Sequence, residues 1–593
     1  MTLLLLLCLL GPGDPPTTDR RDTVVVTGAY EPVPLEETDR TVRAVDVEKH
    51  ALLSSAVVDL LQLDPTLDLR RRAPAGVQTD LSIRGGTFGQ SLILLDGMRL
   101  NDPQTGHHNL DLPLPLEAVS RIEILKGSGS TLYGSDAVGG AVNLVTRTPQ
   151  VSEMRVRAAA GNFGANQQRV SLAAVRGRLA QRLSASRDFS SGFARNRDYR
   201  DLSIASATHV GTSLGNTAVF LGHGDRPFGA DQFYGDFHSW EHTRTWFASL
   251  RQTLGAGTEA SFGYRRHSDR FVLERDRPDV FTNRHTTGSF QAGLRRRREV
   301  APNTRVYYGV EGFHDSIAST NLGRHSRASG AVYAAMDFRA LGRFSLSAGL
   351  REQVHSGRGS DLSPSLAAGI WLNSRLKIRG SVSHAFRLPA FTELYYHDPA
   401  SVGSPGLRPE QAWSYDAGLE WNSGRRLEGA VTLFHRRESD GIDYVRPSPA
   451  DIWRAANIQR LHFAGVEGRV TARISSSHQV ELGYSALSVS SGSLGSLLSR
   501  YVFNYPAHAG TLSWMATLPG NVIGRVRVGA TERVGRDPYA VVDLYLARTG
   551  HRMRPFLHLT NLTGTSYEEI LRVPMPGRGI AGGVEWVLFG PSN

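Results

Sequence analysis

The sequence predicts a mainly β fold: a large antiparallel transmembrane barrel over residues 149–593, preceded by a compact mixed α/β unit over residues 44–148. Three observations carry this. From about residue 149, apolar and polar residues alternate in run after run, the period of two that a strand imposes. The polar faces of those runs hold charges, which would be ruinous in the dry core of a sandwich but are harmless in a wide, wet lumen. No stretch of roughly eighteen apolar residues occurs, which excludes an ordinary membrane-spanning helix. A mean hydropathy just below zero fits such a barrel, because its lipid-facing residues are hidden in the alternation.

Residues 1–21 read as a signal-like leader. Leu3 to Leu10 is apolar and contains the only cysteine, Cys8, so no intramolecular disulfide or thiolate metal site is possible. A basic n-region and an A-x-A site are missing, as in a truncated or misassigned start. Export is expected; lipidation at Cys8 is not, because Leu7 is too large for that signal. Residues 22–43 are rich in Gly, Pro, Thr and Asp and carry one β-prone run, Thr23-Val24-Val25-Val26-Thr27.

The α/β unit follows. Ser54 to Leu61 reads as a short helix capped near Ser54 or Ser55, and Leu81–Arg84, Ser91–Leu95 and Arg121–Leu125 read as strands, with Asp96-Gly97 as a turn. Gly127, Gly129, Gly134, Gly139 and Gly140 crowd one segment and imply close backbone packing. In the barrel region Leu376, Ile378, Gly380 and Val382 share one face, and Lys377, Arg379, Ser381 and Ser383 the other. Tyr415, Ala417, Leu419 and Trp421 lead through Asn422-Ser423-Gly424 to Leu427, Gly429, Val431 and Leu433. Val466 to Ile474, Val480 to Ala486 and Gly524 to Ala530 repeat the pattern. Long polar connections over 223–243 and 436–462 alternate with short turns, as extracellular loops alternate with periplasmic turns.

The net charge is +11, yet only Lys49, Lys126 and Lys377 are lysines. The arginine excess is spread over the whole length, reads as a coding bias, and forms no basic tail or stripe, so no nucleic-acid partner is expected. No G-x-S-x-G, H-E-x-x-H or P-loop occurs, and an enzyme is not expected.

Several motifs resemble one family, the TonB-dependent outer-membrane receptors. Asp22-Thr23-Val24-Val25-Val26-Thr27 looks like a TonB box. Leu81-Ser82-Ile83-Arg84-Gly85-Gly86, Leu95-Asp96-Gly97 and Asn101-Asp102 resemble the plug core. Arg121-Ile122-Glu123-Ile124-Leu125-Lys126-Gly127, Leu132-Tyr133-Gly134 and Gly139-Gly140-Ala141-Val142-Asn143 look like the plug's most diagnostic stretch. Ala385-Phe386-Arg387-Leu388-Pro389-Ala390, Leu407-Arg408-Pro409-Glu410, Gly465-Val466-Glu467 and Asn561-Leu562 are similar to the barrel motifs, in the family's order. The resemblance implies a 22-stranded barrel with the α/β unit, residues 44–148, as a plug in its lumen. Residues 149–593 then allow about 20 residues per strand with its connection, where a membrane strand needs ~9–11. The family usually stops on an aromatic residue, whereas Phe589 is followed by Gly590-Pro591-Ser592-Asn593.

By that resemblance the protein is a monomer of the bacterial outer membrane that imports a large scarce nutrient, either cobalamin or a ferric siderophore or haem. Its partners are outer-membrane lipid, the barrel-assembly machinery, the TonB–ExbB–ExbD complex, and a small-molecule metal chelate or corrin. The alternatives are a passive porin-like channel or a surface receptor without import. The chain length, similar to that of cobalamin receptors, favours cobalamin. Residues 22–27 would bind TonB as an added strand. Arg84, with Arg121 or Lys126, would lock the plug to barrel carboxylates such as Asp416 and Glu467. His107, His108 and Asn109 lie in a segment that reads as an apical plug loop, and with Tyr234 they are the candidate ligand contacts. No cofactor is required, although Asp225, Asp231 and Asp236, together with Glu241, gather carboxylates suited to calcium in an extracellular loop.

Overall fold

A computed structural model of the chain describes residues 24–25, 33–340, 342–357, 359–398, 400–424, 426–492 and 494–590. Residues 1–21 and four of the six TonB-box residues, Asp22, Thr23, Val26 and Thr27, lie outside the described residues. So does the terminal Pro591-Ser592-Asn593.

Twenty-two antiparallel strands close into a barrel. The first, Glu153–Gly161, pairs along its length with the last, Gly579–Phe589, so the sheet has no free edge to solvate in lipid. The alternation read from the sequence is the alternation of the wall. On Leu376–Arg387, Lys377 and Arg379 are buried inside while Ile378 faces out, as do Leu419 and Val431 on the next two strands. Those outward side chains are the surface offered to acyl chains.

One end of the barrel has only tight connections, such as 177–178, 255–257, 302–303 and 474–477. The other carries the long ones, 388–409, 440–460, 492–505 and 561–578. By the usual asymmetry of such barrels the tight end is periplasmic and the long end extracellular. Of the two long connections expected from sequence, the first is much shorter. Residues 223–231 and 238–243 belong to the long strands Gly215–Asp231 and His238–Leu254, and only 232–237 join them. Their polar residues alternate with buried ones, so the pattern is that of a strand projecting beyond the membrane. The second carries its own hairpin, Gly441–Arg446 with Trp453–Ile458, extended by Ser401–Val402 and Leu498–Ser499 into a small extracellular sheet.

The N-terminal unit fills the lumen. Its five-stranded sheet runs Val42–Asp46, Val119–Lys126, Gly140–Thr146, Ser91–Leu95, Met98–Arg99, with a parallel pair in the middle. A hairpin of Leu67–Arg71 and Thr79–Ile83 lies beside it. Asp96 and Gly97 both adopt positive φ, +50° and +82°, the geometry of a tight hairpin turn. The predicted helix is shorter than expected, Val57–Leu61, because the Asp59 carboxylate takes the amides of Ser55 and Ala56 and starts the helix later. Gly140 sits at φ +151°, where a Cβ would collide with the Leu125 carbonyl oxygen of the neighbouring strand. The plug core of Leu60, Leu61, Ile83, Ile93, Ile122 and Val142 is continuous with Phe220 and Phe247 of the wall, so plug and barrel share one packed interior.

Candidate functional site

Three of the places where the plug meets its surroundings bear on function. The first is at mid-depth. The strand Thr79–Ile83 ends because Arg84 and Gly85 take positive φ, +50° and +74°, and this bend aims Arg84 at the wall. Its guanidinium lies 2.5 Å from Asp416 and 2.6 Å from Glu467, on two different barrel strands, and stacks 4.4 Å from the Phe434 ring centroid. A planar fork reaching two carboxylates suits arginine and not lysine. Burial works against the charge, but the two carboxylates raise the Arg84 pKa above its ordinary value. Gly127 makes room, since a Cβ there would stand 2.9 Å from Asp416. Lys126 is 3.1 Å from Asp64 of the plug and 3.9 Å from Glu467. Arg121 differs from expectation: it bonds Glu123, two residues along its own strand, at 2.6 Å, and turns no charge to the wall. Residues two apart in a strand share a face, and the nearer acid wins.

Below this network, at the tight-turn end, a cavity of about 1110 Å³ is lined by Thr41, Arg43, Asp64, Lys126, Arg379 and Glu420. Asp64 is buried, yet Lys126, Arg43 and hydrogen bonds from Thr66 outweigh burial and hold its carboxyl below the usual range. Further out, Val24–Val25, in the segment expected to bind TonB, pairs with Val33–Pro34.

The second place opens at the extracellular end. A cavity of about 820 Å³ is floored by Arg70, Arg72, Asp80 and His107 of the plug and walled by Tyr234, Trp453, Arg500, Tyr501 and Arg536. Arg72 is 3.0 Å from Asp80. His107 stacks on Phe88 with ring centroids 4.3 Å apart and places Nδ1 2.8 Å from Asp80. Burial lowers the His107 pKa against the pull of Asp80. Arg500 lies 5.3 Å from the Tyr501 ring and 5.8 Å from that of Trp453. The lining therefore offers guanidinium groups and aromatic faces together, a combination for planar, anionic ligands.

Of the expected ligand contacts, His107 and Tyr234 line this cavity; His108 and Asn109 do not. The segment is a buried 3₁₀ turn, Gly106–His108, rather than an exposed loop. Asn109 is spent internally, its side chain accepting from the Asp102 amide and donating to the Phe88 carbonyl. His108 points the other way, into the third place. This is a buried group of His108 and Asp111 from the plug with Glu241, His267 and Asp269 from the wall.

The expected calcium ligands are not brought together. Asp225 and Asp231 are six strand residues apart, about 20 Å. Asp225 is 2.8 Å from both Arg200 and Arg244, Asp231 is 2.5 Å from His238, and Asp236 is exposed in the connection. Two guanidinium groups on one carboxylate already supply the charge a cation would bring.

Sequence reasoning missed Arg72, Asp80, Arg500, Tyr501 and Asp269. They come from four separate stretches of chain, and no local spacing relates them.

Comparison with known proteins agrees with this architecture. Residues 34–141 match the family model of the TonB-dependent receptor plug domain, and residues 162–562 that of the TonB-dependent receptor-like β-barrel. The chain is 26% identical over 562 residues to the iron-regulated outer membrane virulence protein of Vibrio cholerae, covering 84% of this chain and 83% of the relative. It is 22% identical over 482 residues to the vitamin B12 transporter BtuB of Photobacterium profundum, covering 75% of each. Among solved structures, the ferric enterobactin receptor PfeA of Pseudomonas aeruginosa, in a mutant form, superposes with a TM-score of 0.76 at 15% identity, over 95% of this chain and 100% of that one. The siderophore receptor PirA of Acinetobacter baumannii gives 0.75 at 15% identity, over 92% and 98%. At such identity these structures share the fold and nothing finer. A closed barrel with its lumen filled by a plug, matched along nearly its whole length by both domain families, places the chain: it belongs to the TonB-dependent receptors of the outer membrane.

Proposed function

We propose that the protein binds an anionic, aromatic ferric chelate of the siderophore class in its extracellular cavity and imports it by TonB-driven displacement of the plug. The observation that carries the substrate class is the cavity lining. Arg500 and Arg536 converge with Tyr234, Tyr501 and Trp453 above the plug, while Arg70 and Arg72 in the floor are already paired with Asp68 and Asp80. A neutral ligand would gain little from the Arg500 and Arg536 guanidinium groups, whereas a multiply charged catecholate complex gains charge-assisted hydrogen bonds and ring stacking. The name of the Vibrio cholerae relative, an iron-regulated protein, agrees.

For transport, the Val24–Val25 ladder is only two residues long and easily exchanged for a strand of TonB. A pull transmitted through residues 33–43 would act on the plug sheet at Val42–Asp46. The Arg84 network, together with other plug–wall pairs such as Arg43–Glu481, Asp68–Arg533 and Asp102–Arg265, would resist it, and the cavity beneath gives the plug room to shift. A passive porin does not fit a lumen filled to mid-depth by a packed domain.

Cobalamin is the second reading, supported by the relatives named as vitamin B12 transporters. Equilibrium binding to the purified protein, read by tryptophan fluorescence, separates the two. Ferric catecholates, ferric hydroxamates, haem and cyanocobalamin form the panel. A ferric catecholate should bind most tightly, and Arg500→Ala should weaken it by about tenfold or more, the worth of a charged hydrogen bond. Tight cyanocobalamin binding that ignores Arg500→Ala would replace this reading with the second.

A further inference from the structure

We propose that His108, Glu241 and Asp269 form a binding site for a divalent transition-metal cation between the plug and the barrel wall, separate from the cavity for the chelate.

The charges around the site are uneven in a way that marks it out. Neighbouring buried carboxylates each have a guanidinium: Asp102 has Arg265 at 2.5 Å, Asp111 has Arg226 at 3.4 Å and Asp80 has Arg72 at 3.0 Å. Glu241 and Asp269 are 1% and 5% exposed, and among the described residues neither has an arginine or lysine within ion-pair distance. Glu241 receives the Tyr234 hydroxyl at 2.8 Å and the Gln78 amide at 3.5 Å. Asp269 receives the Gln104 amide at 3.4 Å, and its Oδ1 has no hydrogen-bond partner among the described residues. Two buried carboxylates side by side, one with an unused oxygen, need a cation more than they need another hydrogen bond.

The imidazole between them has the placement of a ligand. His108 Nε2 lies 3.8 Å from Glu241 Oε1 and 3.8 Å from Asp269 Oδ2. That is too long for a hydrogen bond. It is close to the ~3.4 Å that separates two atoms bound tetrahedrally at about 2.1 Å from one metal ion. The three donor atoms all lie within 4.8 Å of one another, so a few tenths of an ångström of inward movement completes the set. On the far side of the ring Asp111 Oδ2 lies 3.5 Å from Nδ1, which has no hydrogen-bond partner among the described residues, and that oxygen is 3.2 Å from His267 Nε2. A slight turn of the ring would bring Nδ1 onto this outer carboxylate, the contact that holds a metal-binding histidine in the tautomer that leaves Nε2 free.

One imidazole with two carboxylates suits a borderline cation such as zinc, manganese or ferrous iron, and disfavours calcium, which takes oxygen alone. The ligands come from the plug turn Gly106–His108 and from two adjacent wall strands, His238–Leu254 and Thr258–Val272. A bound cation would therefore pin the plug to the wall. Through the Tyr234–Glu241 hydrogen bond it would also brace the wall of the outer cavity.

The test is zinc titration of the purified full-length receptor in detergent, after chelator treatment and dialysis, followed by calorimetry and by metal analysis of the washed protein. One zinc per chain is expected, with a rise in melting temperature. His108→Gln and the isosteric Glu241→Gln should each remove the stoichiometric site and the thermal shift. Asp111→Asn should weaken binding by about 10–100-fold, and Asp225→Asn, on the outer face, should change nothing. Cobalt in place of zinc gives a visible absorption band if the imidazole and carboxylates bind it together. Wild-type protein that retains no zinc at one per chain overturns the proposal by itself, as does undiminished binding in Glu241→Gln.

Discussion

Replacing Arg84 by alanine tests the plug lock most directly, and its cost can be worked from the geometry. The substitution leaves the Asp416 and Glu467 side chains 4% and 5% exposed, with Lys126, 3.9 Å from Glu467, as the remaining cation. Removing one partner of a buried ion pair costs about 3–5 kcal/mol, because the other charge stays buried. The lost contact with the Phe434 face adds up to about 1 kcal/mol. A loss near 4 kcal/mol moves the balance between seated and released plug by roughly a thousandfold. With a denaturant slope of about 1.5 kcal/mol per molar for a plug-sized domain, the urea midpoint of plug release should fall by about 2.5 M. The assay is conductance of the purified receptor in a planar bilayer as urea is raised, since a vacated lumen conducts. Adding Asp416→Asn and Glu467→Gln to Arg84→Ala should restore at least half of the loss, because the penalty lies in the abandoned charges. A midpoint within about 0.5 M of the wild type, or no recovery in the triple variant, refutes the reasoning.

Three further outcomes are expected. Val25→Pro removes an amide donor from the segment that must pair with a partner strand, so uptake should be abolished while equilibrium ligand binding stays unchanged; normal uptake would remove residues 22–27 from the energy pathway. Asp64 has a carboxyl pKa depressed on folding, so its contribution is present above the unfolded value, near 4, and is lost as the pH falls below it. Unfolding of the plug in urea should accordingly become progressively easier as the pH falls below about 4, and Asp64→Asn should flatten that acid limb while lowering stability at pH 7. Gly140→Ala forces a side chain against the Leu125 carbonyl at a positive φ; a destabilisation of about 3 kcal/mol is expected, read as a lower urea midpoint.

Particular residues show how far the sequence reaches. The alternation at Leu376–Val382 is enough to assign Lys377 and Arg379 to the lumen and Ile378 to lipid, because a strand has one period and each face meets one solvent. Asp96-Gly97 specifies its own turn, since few residues tolerate consecutive positive φ. Arg84, Asp416 and Glu467 were all named from sequence, Arg84 because a planar guanidinium suits carboxylates at a partly dry interface, and the structure brings the three together. Arg121, an equal candidate by sequence, is paired with Glu123. The polar run at 223–243 misled because a strand that projects beyond the membrane is as hydrophilic as a loop.

The chain by itself therefore determined the barrel and the face each strand residue occupies, because these follow from local period and backbone preference; the plug in the lumen was what the family resemblance implied. Apart from Arg84 with Asp416 and Glu467, the tertiary structure decided which charges meet. Closing a sheet of this size brings Arg72, Tyr234, Arg500 and Tyr501 around one cavity, and His108, Glu241 and Asp269 around one point, from separate stretches of the chain. Ion pairing and metal binding depend on distances of a few ångströms across that closure, and such distances are set by packing.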